Sequence, residues 1–251
     1  MGVMGRVGRL AILAPLLLAA TPPAGFSDAP FASGINNGTA MAFAPDGRLF
    51  VCEQGPGNAS GNAIIRVFSS AGAFLDTFHT LLVDSQGERG LLGIAIDPDF
   101  GANRRVYVYH TVAGSPPHNR VTRLTQSGVT PNQSDGVAVA ILDLENLSGA
   151  TNHNGGAIHF GPDGKLYVGV GENALMANSQ SVANRLGKML RINPDGTIPA
   201  DNPTSFPGIL GSPAGNNRAI WAVGLRNPFT FAFQPGTGRM FINDVGGNGA
   251  S

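Results

Sequence analysis

Residues 151–173 read TNHNGGAIHFGPDGKLYVGVGEN, and they decide how the rest of the chain is interpreted. Side chains alternate in character over residues 157–160 and again over residues 166–170, on either side of a Gly-Pro-Asp-Gly tetrapeptide at 161–164. Proline fixes one backbone angle and glycine tolerates positive φ, so this tetrapeptide suits a tight turn. The pattern therefore predicts a β-hairpin.

The same strand-turn-strand unit occurs four times along the chain, with irregular spacings that are each long enough for a four-stranded sheet and its loops. A β-unit repeated at such intervals is typical of a solenoid or a propeller. Helical periodicity is almost absent, residues 181–191 being the best candidate for a short helix, so the sequence favours an all-β propeller. The units are marked by their turn prolines, which are Pro45, Pro98, Pro162 and Pro235.

Composition narrows the class of ligand. The 251 residues are 42% hydrophobic, which is enough to bury a core. Sixteen basic residues balance sixteen acidic ones without a block of like charge, which argues against nucleic acid or an anionic membrane as the main partner. We therefore expect a small-molecule ligand. The 36 glycines and 18 prolines indicate many turns between short strands.

The first 24 residues have the three parts of a secretory signal peptide. Arg6 and Arg9 precede an apolar run over residues 10–20, and Thr-Pro-Pro-Ala follows at 21–24. The apolar run is shorter than the ~20 residues that span a bilayer. The sequence thus predicts export to the periplasm or the medium, with residues 25–251 as one β-propeller domain. The lone cysteine, Cys52, lies in an apolar strand pattern and is predicted to be a buried thiol.

His153 is the first candidate for chemistry. It lies in a polar segment at 152–156 that has no hydrophobic period and precedes a predicted strand, so its imidazole is expected at the end of a sheet. Imidazole titrates near neutral pH and is therefore suited to proton abstraction, although a structural role is the common one for an isolated histidine. His159, within the strand, is predicted to be packed or hydrogen-bonded.

A second candidate follows the strand at 219–223. Arg226 and Asn227 place a fork-shaped cation and an amide at a strand end, where the guanidinium could bind a carboxylate or a quinone oxygen. An arginine that ties a loop carbonyl is the alternative. For Glu88 and Arg89, which precede another strand, a surface ion pair is the simple interpretation. No dinucleotide fingerprint, phosphate-binding loop or serine elbow is present in the sequence.

Four ordered blocks of the sequence resemble the soluble, quinone-dependent glucose/sorbosone (aldose sugar) dehydrogenase family. The resemblance runs from about Gly25 to the C-terminus. It implies a six-bladed propeller that binds pyrroloquinoline quinone and calcium on one face and oxidises a sugar at its anomeric carbon, passing electrons to an external acceptor. The blocks are GERGLLGIAIDPDF (87–100), NHNGGAIHFGPDGKLYVGVGEN (152–173), LGKMLRINPDGTIPADNP (186–203) and LRNPFTFAFQPGTGRMFINDVG (225–246).

The resemblance also implies roles for individual residues. It places the general base on His153 and the group that polarises the quinone carbonyl on Arg226. Asn152 stands where the glucose enzyme has aspartate and Glu88 where it has glutamine, so the identity of the sugar is not implied. The other implied positions are the cofactor contacts Asn227, Glu88 and Asn152 and the calcium-binding carbonyls of Gly246 and Gly247.

Two other functions stay open at this point, a non-catalytic propeller that binds carbohydrate or protein, and a lactonase-like propeller that holds calcium with acidic side chains. From the long spacing of the repeats and the glycine-rich C-terminal residues, the chain is expected to cover about four blades of the six.

Overall fold

The computed structural model describes residues 22–246, so most of the predicted signal peptide, residues 1–24, lies outside the described part. The chain divides after Phe31 into two compact units. In the first unit, the described residues 22–31 contain one turn and neither helix nor strand. In the second unit, the described residues 32–246 form fourteen β-strands, a four-residue α-helix and two short 3-10 helices.

Antiparallel pairing joins the strands largely in chain order, which gives three groups of four strands and a final pair. A single residue pair, Val83 with Val112, links the first two groups into one eight-stranded sheet. The first group contains β1 (Gly38–Phe43), β2 (Leu49–Glu53), β3 (Ser60–Phe68) and β4 (Phe74–Asp84), and the second contains β5 (Leu91–Ile96), β6 (Arg105–Val112), β7 (His118–Gln126) and β8 (Ser134–Asn146), with α1 (Phe100–Asn103) between β5 and β6.

The third group and the final pair are separate sheets, of four and two strands. The two 3-10 helices lie in the connections of the third group, at Met176–Gln180 and Gly215–Ala219. The third group contains β9 (Gly155–Phe160), β10 (Leu166–Val170), β11 (Lys188–Ile192) and β12 (Ile220–Val223), and the final pair is β13 (Pro228–Phe233) with β14 (Met240–Asp244).

All four predicted hairpins are confirmed. They are the pairs β1–β2, β5–β6, β9–β10 and β13–β14, and each spans one of the four turn prolines. In the hairpin quoted first, the turn closes through hydrogen bonds from Gly161 N to Lys165 O at 2.9 Å and from Gly164 N to Gly161 O at 3.0 Å. The all-β class is therefore confirmed, since helices contribute only short segments to the described residues.

The predicted short helix at residues 181–191 is wrong. The 3-10 helix ends at Gln180, and β11 begins at Lys188 and pairs with strands on both sides. The ammonium group of Lys188 is buried and donates to the carbonyl oxygens of Asn178 and Leu186, each at 2.6 Å. Strand pairing and this buried cation outweigh the weak helical periodicity of the segment.

Each group of strands packs against the next one in the chain, through apolar side chains on its face and through its first strand. One apolar cluster, with Phe50, Phe78 and Val106, joins the first group to the second, and another, with Tyr109 and Ile158, joins the second to the third. Strand β1 contacts β5, β5 contacts β9 and β9 contacts β13. This serial order is the one expected of successive blades, and their radial arrangement stays a prediction.

Cys52 is buried in the first of these clusters, as predicted, and burial raises the pKa of its thiol. His110 is buried on β6, where its Nε2 lies 2.8 Å from Thr122 Oγ1. The Nδ1 atom of His110 has no hydrogen-bond partner among residues 22–246. Burial, and then the positive charge of Arg120, lower the pKa of His110 to about 4.

We expect His110 to make the fold acid-sensitive. Because its pKa in the folded protein lies below the ordinary value, the unfolded chain takes up the proton first as the pH falls. The free energy of unfolding should be unaffected by this group above about pH 6.5 and should fall by roughly 3 kcal/mol towards about pH 4. His110→Gln keeps a partner for Thr122 but cannot titrate, so urea unfolding at both pH values should show a smaller acid loss. An unchanged pH dependence in the variant would contradict this assignment.

Candidate active site

Polar residues from three segments meet where β9 begins, where β10 ends and where β13 begins. The N–H of Asn173, just after β10, donates to the carbonyl oxygen of His153 at 3.1 Å. The N–H of Glu172 donates to the carbonyl oxygen of Arg226 at 2.8 Å. The structure thus brings His153 and the Arg226 segment, which lie far apart in the sequence, against Glu172 and Asn173 in the segment that follows β10.

The carboxylate of Glu172 determines which ring nitrogen of His153 carries the proton. Its Oε1 is hydrogen-bonded to Nδ1 of His153, and the two side chains are only 3% and 9% exposed. An ionised carboxylate can only accept, so Nδ1 carries the proton and donates it. In this tautomer Nε2 keeps its lone pair, and it makes no hydrogen bond to any residue in the range 22–246. A carboxylate that fixes the tautomer leaves Nε2 ready to accept a proton.

The backbone of His153 is held in an uncommon conformation. Its φ is 57°, in the left-handed region that non-glycine residues rarely adopt. Its N–H donates to Oε2 of Glu88 at 2.7 Å, and its carbonyl receives the Asn173 N–H already described. Such strained conformations persist only where the surroundings determine them, and they cluster at functional sites.

Close backbone packing adds to that constraint. A Cβ atom on Gly171 would overlap the carbonyl oxygen of His153, so only glycine fits between Val170 and Glu172. The end of β10 is therefore pressed against the backbone of His153. This contact brings the Glu172 carboxylate to the imidazole.

Arg89 is buried beneath this segment, and the predicted surface ion pair between Glu88 and Arg89 is wrong. The Nη1 of Arg89 instead donates to Asp84 Oδ2 at 2.8 Å, both side chains being 6% exposed. Its Nη2 donates to the carbonyl oxygens of Ser148 and Ala150, each at 2.8 Å. The Arg89 side chain therefore faces inward, whereas Glu88 is exposed.

Asn173 holds the same loop from the other side. Its Oδ1 accepts the N–H of Ser148 at 2.6 Å, and its Nδ2 donates to Ala150 O at 3.1 Å. Neither Glu172 nor Asn173 was predicted from the sequence, because the local pattern of residues 169–174 is only that of an incomplete nucleotide-binding fingerprint. The signal that could have found them is a polar pair directly after a buried strand, at the same sheet end as His153.

Arg226 and Asn227 are tied to this site by the Asp244 carboxylate, which accepts their N–H groups at 3.0 and 2.7 Å. The Oδ1 atom of Asn227 accepts the N–H of Gly155 at 2.9 Å, which joins the start of β13 to the start of β9. Nη1 of Arg226 donates to Val245 O at 3.2 Å, as the loop-carbonyl interpretation expects. Arg226 is half-buried as a residue, and the rest of its guanidinium makes no hydrogen bond within residues 22–246.

The remaining predicted positions lie around the same site or beyond the described residues. Asn152 is half-buried next to His153 in the chain, Gly246 is exposed at the last described position, and Gly247 lies outside the described residues. Across residues 22–246, no three His, Cys, Asp or Glu side chains converge in a way that could hold a metal ion.

His159 has different surroundings from His153. Its side chain is exposed rather than buried, and its ring packs edge-on against Phe231 with the centroids 4.8 Å apart. It is therefore packed against a neighbouring strand, in agreement with its prediction.

In the part of the chain that the structure describes, no helix is long and apolar enough to cross a membrane.

Comparisons with known proteins agree with the resemblance seen in the sequence. The family described as Glucose / Sorbosone dehydrogenase matches residues 35–250. Quinoprotein glucose dehydrogenase B of Acinetobacter calcoaceticus is 29% identical over 242 residues, which cover 86% of this chain and 47% of that protein. The chain spans about half the length of the curated relatives it matches, the covered shares of the first three being 47%, 43% and 54%.

Two solved structures share the fold at comparable identity. A Thermus thermophilus protein assigned as a glucose dehydrogenase is 35% identical, with a TM-score of 0.71 over 84% of this chain and 59% of that one. The PQQ-bound aldose sugar dehydrogenase of Streptomyces coelicolor is 30% identical, with a TM-score of 0.67 over 87% of this chain and 59% of that one.

The close contact at Gly171 gives a direct test of this geometry. Gly171→Ala would force its new methyl group into the His153 carbonyl, so the free energy of unfolding should fall by roughly 2 kcal/mol or more. Gly101→Ala, in α1, is the matched control, because a Cβ there meets no atom within 4 Å. Urea unfolding should show the control to be as stable as the parent protein or slightly more stable. Equal losses in the two variants would contradict the packing described here.

Proposed function

The chain belongs to the glucose/sorbosone dehydrogenase family, and on that premise we propose that its His153 centre oxidises an aldose sugar at the anomeric carbon. Pyrroloquinoline quinone would accept the electrons, with calcium as the second cofactor and an external acceptor reoxidising the quinone. The observation that carries this proposal is the buried His153–Glu172 pair, which leaves Nε2 free for a proton. Half-buried Arg226 is tied to the same strand ends.

The residues present fit an anionic, planar quinone. The Arg226 guanidinium is planar and cationic, and it has donors left over after its bond to Val245. Such a group binds paired oxygens of carboxylates and quinones in bidentate fashion. We propose that Arg226 holds the quinone, that Asn227, Glu88 and Asn152 contact it or the sugar, and that the carbonyls of Gly246 and Gly247 contribute to calcium, a cation that accepts such oxygens.

Glu172 would act by positioning His153. When bound, the quinone supplies a two-electron acceptor for the hydride that leaves the anomeric carbon. The Nε2 atom of His153 accepts the proton of the anomeric hydroxyl, and the imidazolium that forms is stabilised by the Glu172 carboxylate at Nδ1. Burial of both side chains strengthens this interaction, because the local dielectric constant is lower than that of water. Glu172 is thus a positioning residue, while His153 contacts the sugar.

Family membership also supports a propeller in which the three four-stranded groups and the final pair are successive blades. Strand β1 contacts β5, β5 contacts β9 and β9 contacts β13. This order suits a central axis surrounded by the first strand of each blade. On this arrangement the strand ends that carry His153 and Arg226 would lie on one face. Loops on such a face are where ligands usually bind.

The alternatives make different demands on the residues. A lactonase-like calcium site needs converging acidic side chains, and residues 22–246 offer no cluster of that kind. A propeller that only binds carbohydrate or protein does not need a buried His–Glu pair with an unsatisfied ring nitrogen. We therefore favour the dehydrogenase over both.

The proposal predicts separable effects for the two central residues of the protein reconstituted with pyrroloquinoline quinone and calcium. His153→Ala should lower sugar turnover by roughly 10²–10⁴-fold and leave quinone affinity nearly intact, because a general base acts in the chemical step. Arg226→Ala should weaken quinone affinity as well, since its interaction exists before the transition state. The measurements are quinone titration and single-turnover reduction with an aldose.

His159→Ala is the matched control, because it removes a histidine of β9 that lies six residues after His153 and outside the polar site. It should keep both quinone affinity and turnover. If His153→Ala and His159→Ala oxidised sugar at the same rate, His153 would be structural. If the parent protein bound sugar but never reduced an acceptor, the non-catalytic alternative would replace the dehydrogenase.

A further inference from the structure

The loop before His153 is anchored to a buried arginine that the proposed chemistry does not use. Arg89 reaches two carbonyl oxygens of this loop, those of Ser148 and Ala150, through one nitrogen at 2.8 Å each. Its other terminal nitrogen is occupied by Asp84. The buried guanidinium of Arg89 thus holds the loop at a point only a few residues before His153 in the sequence.

The shape of the guanidinium suits this task better than that of an ammonium group. Arginine presents several donors in one rigid plane, so it can hold a carboxylate with one nitrogen and two carbonyls with another. The Nε atom of Arg89 is buried and has no partner among residues 22–246. Arg89 thus satisfies three oxygens of neighbouring residues although one of its own donors is unsatisfied. Its position is therefore set by those oxygens.

The backbone of Arg89 is held as firmly as its side chain. Gln54 Nε2 donates to the carbonyl oxygens of Gly87 and Arg89 at 2.8 and 2.7 Å. Glu88 lies between these two anchored carbonyls, and its Oε2 accepts the N–H of His153. Two adjacent residues therefore hold the histidine segment. Arg89 binds the loop before His153, and Glu88 accepts the N–H of His153 itself.

We propose that Arg89 is a positioning residue for His153. Through the loop at 148–151 it imposes the left-handed backbone of His153, and this backbone directs Nδ1 onto Glu172. Arg89 contacts neither substrate nor cofactor in this scheme. The proposal rests on the proposed function only for the role of the histidine as a base, because the positioning itself exists in the chain without quinone or sugar.

Arg89→Lys tests the proposal in the protein without cofactor. Lysine keeps the charge beside Asp84 but cannot hold both carbonyls in the plane of a guanidinium. In ¹⁵N spectra of the imidazole, the parent protein should show a protonated Nδ1 and an unprotonated Nε2 at His153. Arg89→Lys should shift both signals towards the average of two tautomers, and the amide protons of His153 and Asn173 should exchange about tenfold faster relative to those of β6.

Arg191→Lys is the matched control. Arg191 is also buried and multiply bonded, to Asp163, Asp201 and Asn202. It lies near the end of β11 that is far from Lys188, the residue that pairs with Val170 where β10 ends. Its replacement should lower stability without altering the His153 signals. This contrast separates a positioning role from general loss of structure, which would affect both variants alike.

The outcomes are decisive in each direction. Tautomer averaging and faster exchange at His153 in Arg89→Lys, with parent-like signals in Arg191→Lys, support the proposal. Parent-like His153 signals in Arg89→Lys, or equal changes in the two variants, overturn it. If Arg89→Lys does not fold, the double variant Asp84→Asn with Arg89→Gln leaves no unpaired buried charge and is judged by the same signals. Sugar oxidation is not part of the measurement, so a failed dehydrogenase assignment would leave these results unchanged.

Discussion

Successive groups of strands meet through close backbone contacts, and the geometry of the candidate site follows from these contacts. At Gly93 a Cβ atom would overlap the carbonyl oxygen of Gly156, so β5 and β9 approach to a distance that only glycine permits. A Cβ on Gly169 would lie 2.7 Å from Pro228 O, so β10 meets the start of β13 in the same way. Strand ends that are distant in the sequence therefore converge within a few ångströms.

This convergence explains why the candidate site is built from backbone as much as from side chains. Hydrogen bonds between backbone amide and carbonyl groups connect the segments of His153, Glu172 and Arg226. The backbone at each residue is therefore fixed, and the side chains of His153 and Glu172 are bonded to each other. The arrangement has costs, because a histidine is held at positive φ and the carboxylate of Glu172 keeps one buried oxygen without a partner among residues 22–246. Strain and buried charge of this kind are tolerated where the surrounding fold fixes them, as the glycine contacts do here.

The hairpins could be predicted from the sequence because alternation and a Pro–Gly turn are local signals, and the position of His153 at a strand end followed from them. What could not be predicted depends on contacts between segments. Glu172 pairs with His153 only because β10 is pressed against it, and Arg89 turns inward to reach Ser148 and Ala150, which no local pattern encodes. The helix expected at 181–191 failed for the same reason, since pairing with two neighbouring strands decided the conformation of β11.

We propose that these converging strand ends form one quinone site, and a crystal structure of the protein with pyrroloquinoline quinone, calcium and a sugar would show whether they do. We expect quinone oxygens within hydrogen-bond distance of the Arg226 guanidinium, and the anomeric hydroxyl of the sugar within that distance of His153 Nε2. A quinone bound at another face of the molecule, with His153 facing only protein, would show that these strand ends are not the quinone site.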